Sequence, residues 1–218
     1  MKSRTALIVG STGLIGGHCL RLLLESGLYE RVISLTRRPS GLTHAGLKEV
    51  LIDFDRLESH VKEFRADDVF CCLGTTIKKA VTRENFVRVD HDYPLIAANT
   101  AYSRGARRFF VVSAMGASSS SRIFYNRVKG DLERDLKKIG FDSLHIFRPS
   151  LLVGERSESR PGEKIAAVIM RALDPFFFGP LKNYRSISAE KVARAMIKHA
   201  APSATGVFFH ESGQMQDC

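Results

Sequence analysis

Ala6-Leu7-Ile8-Val9-Gly10-Ser11-Thr12-Gly13-Leu14-Ile15-Gly16-Gly17 decides the fold. Four apolar residues suit a strand covered on both faces, and the glycine-punctuated turn after them runs into Leu20, Leu22, Leu23 and Leu24 at largely helical spacing. Gly10 permits a tight turn off the strand. Gly13 lets backbone N–H groups approach a ligand closely, and Gly16 lets the helix pack against the sheet. The helix N-terminus adds a positive field, so Gly10, Ser11, Thr12, Gly13, Leu14, Ile15 and Gly16 read as a cradle for the pyrophosphate of a dinucleotide. The spacing is G-x-x-G-x-x-G, not G-x-G-x-x-G, and the strand before it and helix after it supply the context.

The 218 residues fit one α/β domain with a core large enough to need no staples. Hydrophobic content of 44% is that of an ordinary soluble protein, and no apolar run approaches the length of a membrane span. Met1 to Thr5 lead straight into the first strand, so no leader is expected. Cys19, Cys71, Cys72 and Cys218 form no C-x-x-C pair, and adjacent Cys71 and Cys72 on a strand point to opposite faces. A reduced, cytoplasmic protein is expected. The seven histidines lack zinc-site spacing, so no structural metal is expected.

The net charge of +10 raises the question of nucleic acid. The pairs Arg37-Arg38, Lys78-Lys79, Arg107-Arg108 and Lys137-Lys138 are spread along the chain and no nucleic-acid motif accompanies them, which argues against it. A small anionic ligand is the expected partner.

A second strand, Arg31 to Thr36, ends at Arg37-Arg38-Pro39. In a doubly wound sheet this end meets the adenosine ribose, where an acidic residue would accept from a free 2′-OH. Arg37 and Arg38 stand there instead, and guanidinium suits a 2′-phosphate. NADP(H) is therefore expected over NAD(H). The third strand, Lys48 to Phe54, offers Asp53 and Phe54 beside the adenine, although Asp53 is equally placed to cap the next helix. The fourth, Asp68 to Leu73, stops at Gly74-Thr75-Thr76, so Leu73, Gly74 and Thr75 are assigned to the ribose and nicotinamide side. A helix from near Arg83, redirected around Tyr93-Pro94, runs to Ser103.

The fifth strand, Arg107 to Ser113, puts Ser113 at the carboxyl edge where α/β active sites lie. After a Gly/Ser-rich loop comes a helix with Tyr125 and Lys129 one turn apart on one face. A tyrosine hydroxyl with an ordinary pKa of about 10 is a poor acid or base, and a neighbouring ammonium stabilises its phenolate. Tyr125 is thus the expected acid/base, Lys129 its modulator and a ribose ligand, and Ser113 the donor to substrate oxygen.

Gly10-x-x-Gly13-x-x-Gly16, Ser113, Tyr125-x-x-x-Lys129 and Arg148-Pro149-Ser150-x-x-x-Gly154 together resemble the short-chain dehydrogenase/reductases, in particular their atypical branch. Val89-Asp90-x-Asp92-Tyr93, Ser113-x-x-Gly116-Ala117 and Tyr125-x-x-Val128-Lys129-Gly130 resemble the group around the Tat-interacting protein oxidoreductases. The resemblance spans nearly the whole chain. It implies a Rossmann fold binding NADP(H), with Ser113, Tyr125 and Lys129 in the catalytic positions and Pro149 turning the chain toward the nicotinamide. It also admits members that bind the cofactor as sensors or regulators acting through a protein partner. The fourth position of the classical members, an asparagine, has only Asn99 as a weak counterpart.

Beyond the sixth strand, Phe141 to Arg148, residues Ser150 to Gly154 are expected to line the substrate site. Residues 155–164 read as a flap or loop, Lys164 to Leu173 as a helix, and Phe176 to Phe178 as core, pocket wall or interface. Ser188 caps a further helix and Gly206 to His210 form a last strand. The expectation is one doubly wound parallel α/β domain, with 150–218 contributing a small substrate-side cap, in a monomer or homodimer.

Overall fold

The structure is a computed structural model, described here over residues 4–153, 183–201 and 205–218. Strands β1 (Thr5–Val9), β2 (Arg31–Thr36), β3 (Leu47–Leu51), β4 (Asp68–Cys71), β5 (Arg108–Val112), β6 (Ser143–Arg148) and β9 (Gly206–Glu211) form one seven-stranded sheet in the order β3-β2-β1-β4-β5-β6-β9. Every pairing in it is parallel. The order reverses between β1 and β4, and a ligand crevice opens at the carboxyl ends of strands at such a switch point. Two short strands, β7 (Leu152–Val153) and β8 (Ile187–Ser188), pair separately.

Parallel strands buried on both faces need apolar side chains at every position, and their alternation divides the core in two. Leu7, Val9, Val69, Cys71, Phe109, Val111, Leu144 and Ile146 meet one helical layer. That layer holds the short 3-10 turns of Phe54–Phe64, α4 (Tyr93–Ser103) and α5 (Phe124–Leu136). Ala6, Ile8, Phe70, Phe110, Val112 and Phe147 meet the other, where α1 (Leu14–Glu25) packs against α6 (Ala189–Lys198). Phe70 and Phe110 stack there with ring centroids 4.7 Å apart. Cys71 and Cys72 fall on opposite faces as the alternation requires, and the four cysteines are free.

The helix expected from Arg83 is built in three pieces: α3 (Arg83–Val87), a wide i→i+5 turn over Arg88–Asp92, and α4 with Pro94 in its first turn. A short α2 (Ile77–Ala80) precedes them, and α7 (Ser212–Met215) closes the described chain. Ser188 caps α6 by accepting from the Lys191 N–H. The C-terminal segment contributes β9 to the sheet and α6 to one of its faces. The flap, the helix of Lys164 to Leu173, Phe176 to Phe178 and Gly154 lie outside the described residues.

Candidate active site

The glycine loop is compressed where the sequence places its glycines. Gly10 has φ +84°, and a Cβ there would stand 2.7 Å from the Cys72 carbonyl carbon. A Cβ on Gly16 would stand 2.0 Å from the Gly10 carbonyl oxygen, so only glycine lets α1 start against its own loop. The Gly13 N–H donates to the Gly10 carbonyl at 3.0 Å. Ser11 is buried, its hydroxyl accepting from Ser34 at 2.8 Å, and Ile15 is core. Gly13 is exposed at the turn, Thr12 is half-buried, and Leu14 packs its side chain against the core.

Beside this loop a cavity of about 270 Å³ is lined by Ser11, Thr12, Gly17, Arg21, Arg38 and Ser40, among others. Arg38 is therefore the member of the Arg37-Arg38 pair that joins the loop, anchored where its carbonyl accepts from the Thr36 hydroxyl at 2.9 Å. Arg37, exposed like Arg38, follows the end of β2 without lining that cavity. Arg21, from the second turn of α1, is a second guanidinium that the sequence reading did not assign. Its distance of about two helical turns from Gly13 was the available signal.

Asp53 caps the 3-10 segment, accepting from the Asp55 N–H at 3.0 Å. Phe54 is turned into the core, 6% exposed, its ring 5.7 Å from that of Tyr93.

Lys129 is almost wholly buried on α5, and its ammonium lies 2.8 Å from a carboxylate oxygen of Asp90, itself 1% exposed. Asp90 reaches this position from the wide turn Arg88–Asp92, and its other oxygen accepts from the Thr75 N–H at 2.8 Å. Gly74 completes the junction: a Cβ there would sit 3.3 Å from the Asp90 carboxylate and 3.7 Å from the ammonium. Burial alone would push the Lys129 ammonium down. The Asp90 charge and hydrogen bond outweigh it, holding the group above the ordinary lysine value. Burial also pushes the Cys71 thiol up to about 12, leaving it neutral.

Asp90 was in view within Val89-Asp90-x-Asp92-Tyr93, but nothing in the sequence pairs it with Lys129. Asn99 does not fill that place: it is exposed on α4 and its amide donates to the Leu95 carbonyl at 3.0 Å.

Tyr125, one turn before Lys129, rests its ring on Phe86, centroids 5.4 Å apart. The loop entering α5 is clamped at Gly130, where a Cβ would stand 2.1 Å from the Ser118 carbonyl carbon, and by the Ser118 N–H donating to the Asn126 carbonyl at 3.0 Å. Ser113 directly follows β5 and is 4% exposed. Its hydroxyl donates to Glu133, the next residue in the Tyr125–Lys129 series on α5. Arg148 braces Glu133 with two bonds of 3.0 and 2.6 Å and reaches Glu211 at 3.2 Å. Pro149 is buried, its carbonyl accepting from the Met115 N–H at 2.9 Å, which ties β6 to the Ser113 loop. The Glu133 and Glu211 contributions were not legible, because both depend on where Arg148 emerges.

Comparison with known proteins agrees with this fold. Residues 6–127 match the model of the NAD dependent epimerase/dehydratase family. Protein HTATIP2 of Rattus norvegicus is 34% identical over 214 residues, covering 94% of this chain and 85% of that protein. The mitochondrial protein fmp52 of Aspergillus clavatus is 31% identical over 206 residues, covering 91% and 88%. Among solved structures, DesIV, a dTDP-glucose 4,6-dehydratase from Streptomyces venezuelae with NAD bound, superposes with a TM-score of 0.72 at 18% identity, covering 95% of this chain and 75% of that one. MoeE5 in complex with UDP-glucuronic acid and NAD gives 0.71 at 20%, covering 94% and 75%. These likenesses bear out the Rossmann fold and the resemblance to the Tat-interacting protein group. With the switch-point crevice and the glycine loop in place, the chain belongs to the NAD dependent epimerase/dehydratase family within the short-chain dehydrogenase/reductases.

Proposed function

We propose that the chain binds NADP(H) and reduces a carbonyl, or oxidises the matching alcohol, of a small organic substrate. The observation that carries this reading is Tyr125 one helical turn from a buried Lys129 ammonium, which Asp90 holds against the Gly74-Thr75 loop at the sheet's switch point.

The residues present fit the dinucleotide. Glycine at positions 10 and 16 lets the loop fold tightly against the strand ends, and α1 directs its N-terminus over that turn, where it suits the pyrophosphate. Arg38 and Arg21 line the adjoining cavity and suit a 2′-phosphate, while the end of β2 offers no carboxylate for a free 2′-OH. When bound, the cofactor supplies or accepts the hydride.

In this reading Tyr125 moves the proton at the substrate oxygen. Asp90 keeps the Lys129 ammonium charged into alkaline pH, so Tyr125 faces a constant positive charge through the physiological range. Ser113 stands at the end of β5 with its proton given to Glu133, and donation to substrate requires that bond to be exchanged. This engagement favours a second reading, a sensor that binds NADP(H) and acts through a protein partner. The four free thiols suit a reducing compartment such as the cytoplasm.

The test is NADPH oxidation with a broad panel of aldehydes and ketones. Turnover with at least one, lost in Tyr125→Phe, supports the enzyme. NADPH binding with no turnover across the panel supports the sensor.

A further inference from the structure

Away from the proposed active site, β6, β9 and the end of α6 bring three histidines together. His145 on β6 and His210 on β9 stand edge to edge, Nδ1 to Nε2, at 3.0 Å. His199, at the C-terminus of α6, lies with its ring centroid 4.1 Å from that of His210. One nitrogen from each ring falls within 4.8 Å of the others. His145 is 1% exposed, and its Nε2 is buried without a hydrogen-bond partner among the described residues. Phe110 and Phe208 stack on the His145 ring at 4.7 and 4.8 Å and hold it in place.

We propose that His145, His199 and His210 form a site for one divalent transition-metal ion of the zinc type. Imidazole nitrogens without carboxylate or carbonyl oxygens select zinc, cobalt, nickel or copper over magnesium or calcium. Ligand nitrogens around a tetrahedral zinc stand about 3.4 Å apart, given zinc–nitrogen bonds of about 2.1 Å, so the buried pair already has nearly that spacing. The half-buried His199, with a ring nitrogen within 4.8 Å of the other two, supplies the third ligand as the rings draw together around the ion. The nearby Arg108 guanidinium is committed elsewhere: its Nε lies 3.4 Å from Asp68, and it donates to the carbonyls of His199 and Ala200 at 3.2 and 2.7 Å. Burial disfavours the imidazolium forms of all three rings, and when both facing nitrogens bind the ion, the proton shared in the His145–His210 contact moves to the other nitrogen of its own ring. An ion held there would tie the last strand and α6 to β6. This revises the expectation of no structural metal: the three ligands come from separate elements, so no sequence spacing announces them.

The test uses the full chain without an affinity tag, stripped by chelator and then titrated with Zn2+ by calorimetry and with Co2+ by visible absorption. One equivalent should bind, with the absorption of a four-coordinate Co2+ ion. His199→Gln and His210→Phe should each weaken Zn2+ binding by roughly 100-fold, and replacing the exposed His44 by Ala should change nothing. Circular dichroism and cooperative unfolding check that each variant folds. Should His210→Phe fail to fold, His199→Gln, at the helix end, decides alone. Failure of the wild-type chain to bind one equivalent, or binding unchanged in the folded variants, overturns the proposal.

Discussion

The Lys129 ammonium stands 2.8 Å from the Asp90 carboxylate, and both groups are buried. This pair joins α5, the wide turn before α4 and, through the Thr75 N–H, the loop after β4. Removing one partner leaves an uncompensated buried charge, so Asp90→Ala should lower unfolding stability by about 3–5 kcal/mol in a denaturant titration. The folded lysine titrates above its ordinary value of 10.5, so the stabilisation is complete below that pH. It is lost as pH rises through the folded value. The stability gap between wild type and Lys129→Met should therefore hold constant through neutral pH and narrow only in strong alkali.

Adjacent glycines in α1 should behave in opposite ways. A methyl on Gly16 meets the Gly10 carbonyl oxygen at 2.0 Å, whereas one on Gly17 meets the Ser11 carbonyl at an ordinary 3.7 Å. Gly16→Ala should displace the loop, destabilise by about 1–3 kcal/mol and abolish dinucleotide binding. Gly17→Ala, in a helix interior, should be neutral or stabilising by up to about 1 kcal/mol. Thermal unfolding with and without NADPH reads both.

Arg38 and Arg21 line the cavity beside the glycine loop, and Arg37 does not. A hydrogen bond to a charged group contributes about 1.5–3 kcal/mol, so Arg38→Ala and Arg21→Ala should each weaken NADPH roughly 10- to 100-fold. NADH should change little, and Arg37→Ala should leave both unaltered. Equal losses for the two dinucleotides, measured by calorimetry, would remove these arginines from the 2′-phosphate.

The strands and the glycine loop were legible because they depend on local rules: apolar alternation, and a missing Cβ where backbones meet. Lys129 and Tyr125 were legible because helical spacing alone puts them on one face. Asp90, Glu133 and Glu211 were not, since each matters only through a partner from another element. Phe54 shows the converse failure. The sequence put an apolar residue at a strand tip beside the expected adenine, and the 3-10 turn capped by Asp53 rotates it into the core against Tyr93. Arg38 was legible as a basic residue just past β2, but the second arginine lining its cavity is Arg21 of α1, which no local rule places beside it, and not the neighbouring Arg37.

The most direct test of the central claim is a paired measurement on Tyr125→Phe: NADPH affinity, and the rate of carbonyl-dependent NADPH oxidation. The phenyl ring keeps the contact with Phe86, so affinity should match wild type while turnover falls by about 10²- to 10⁴-fold, the size of a lost general acid. Turnover at the wild-type rate in Tyr125→Phe would contradict the assignment.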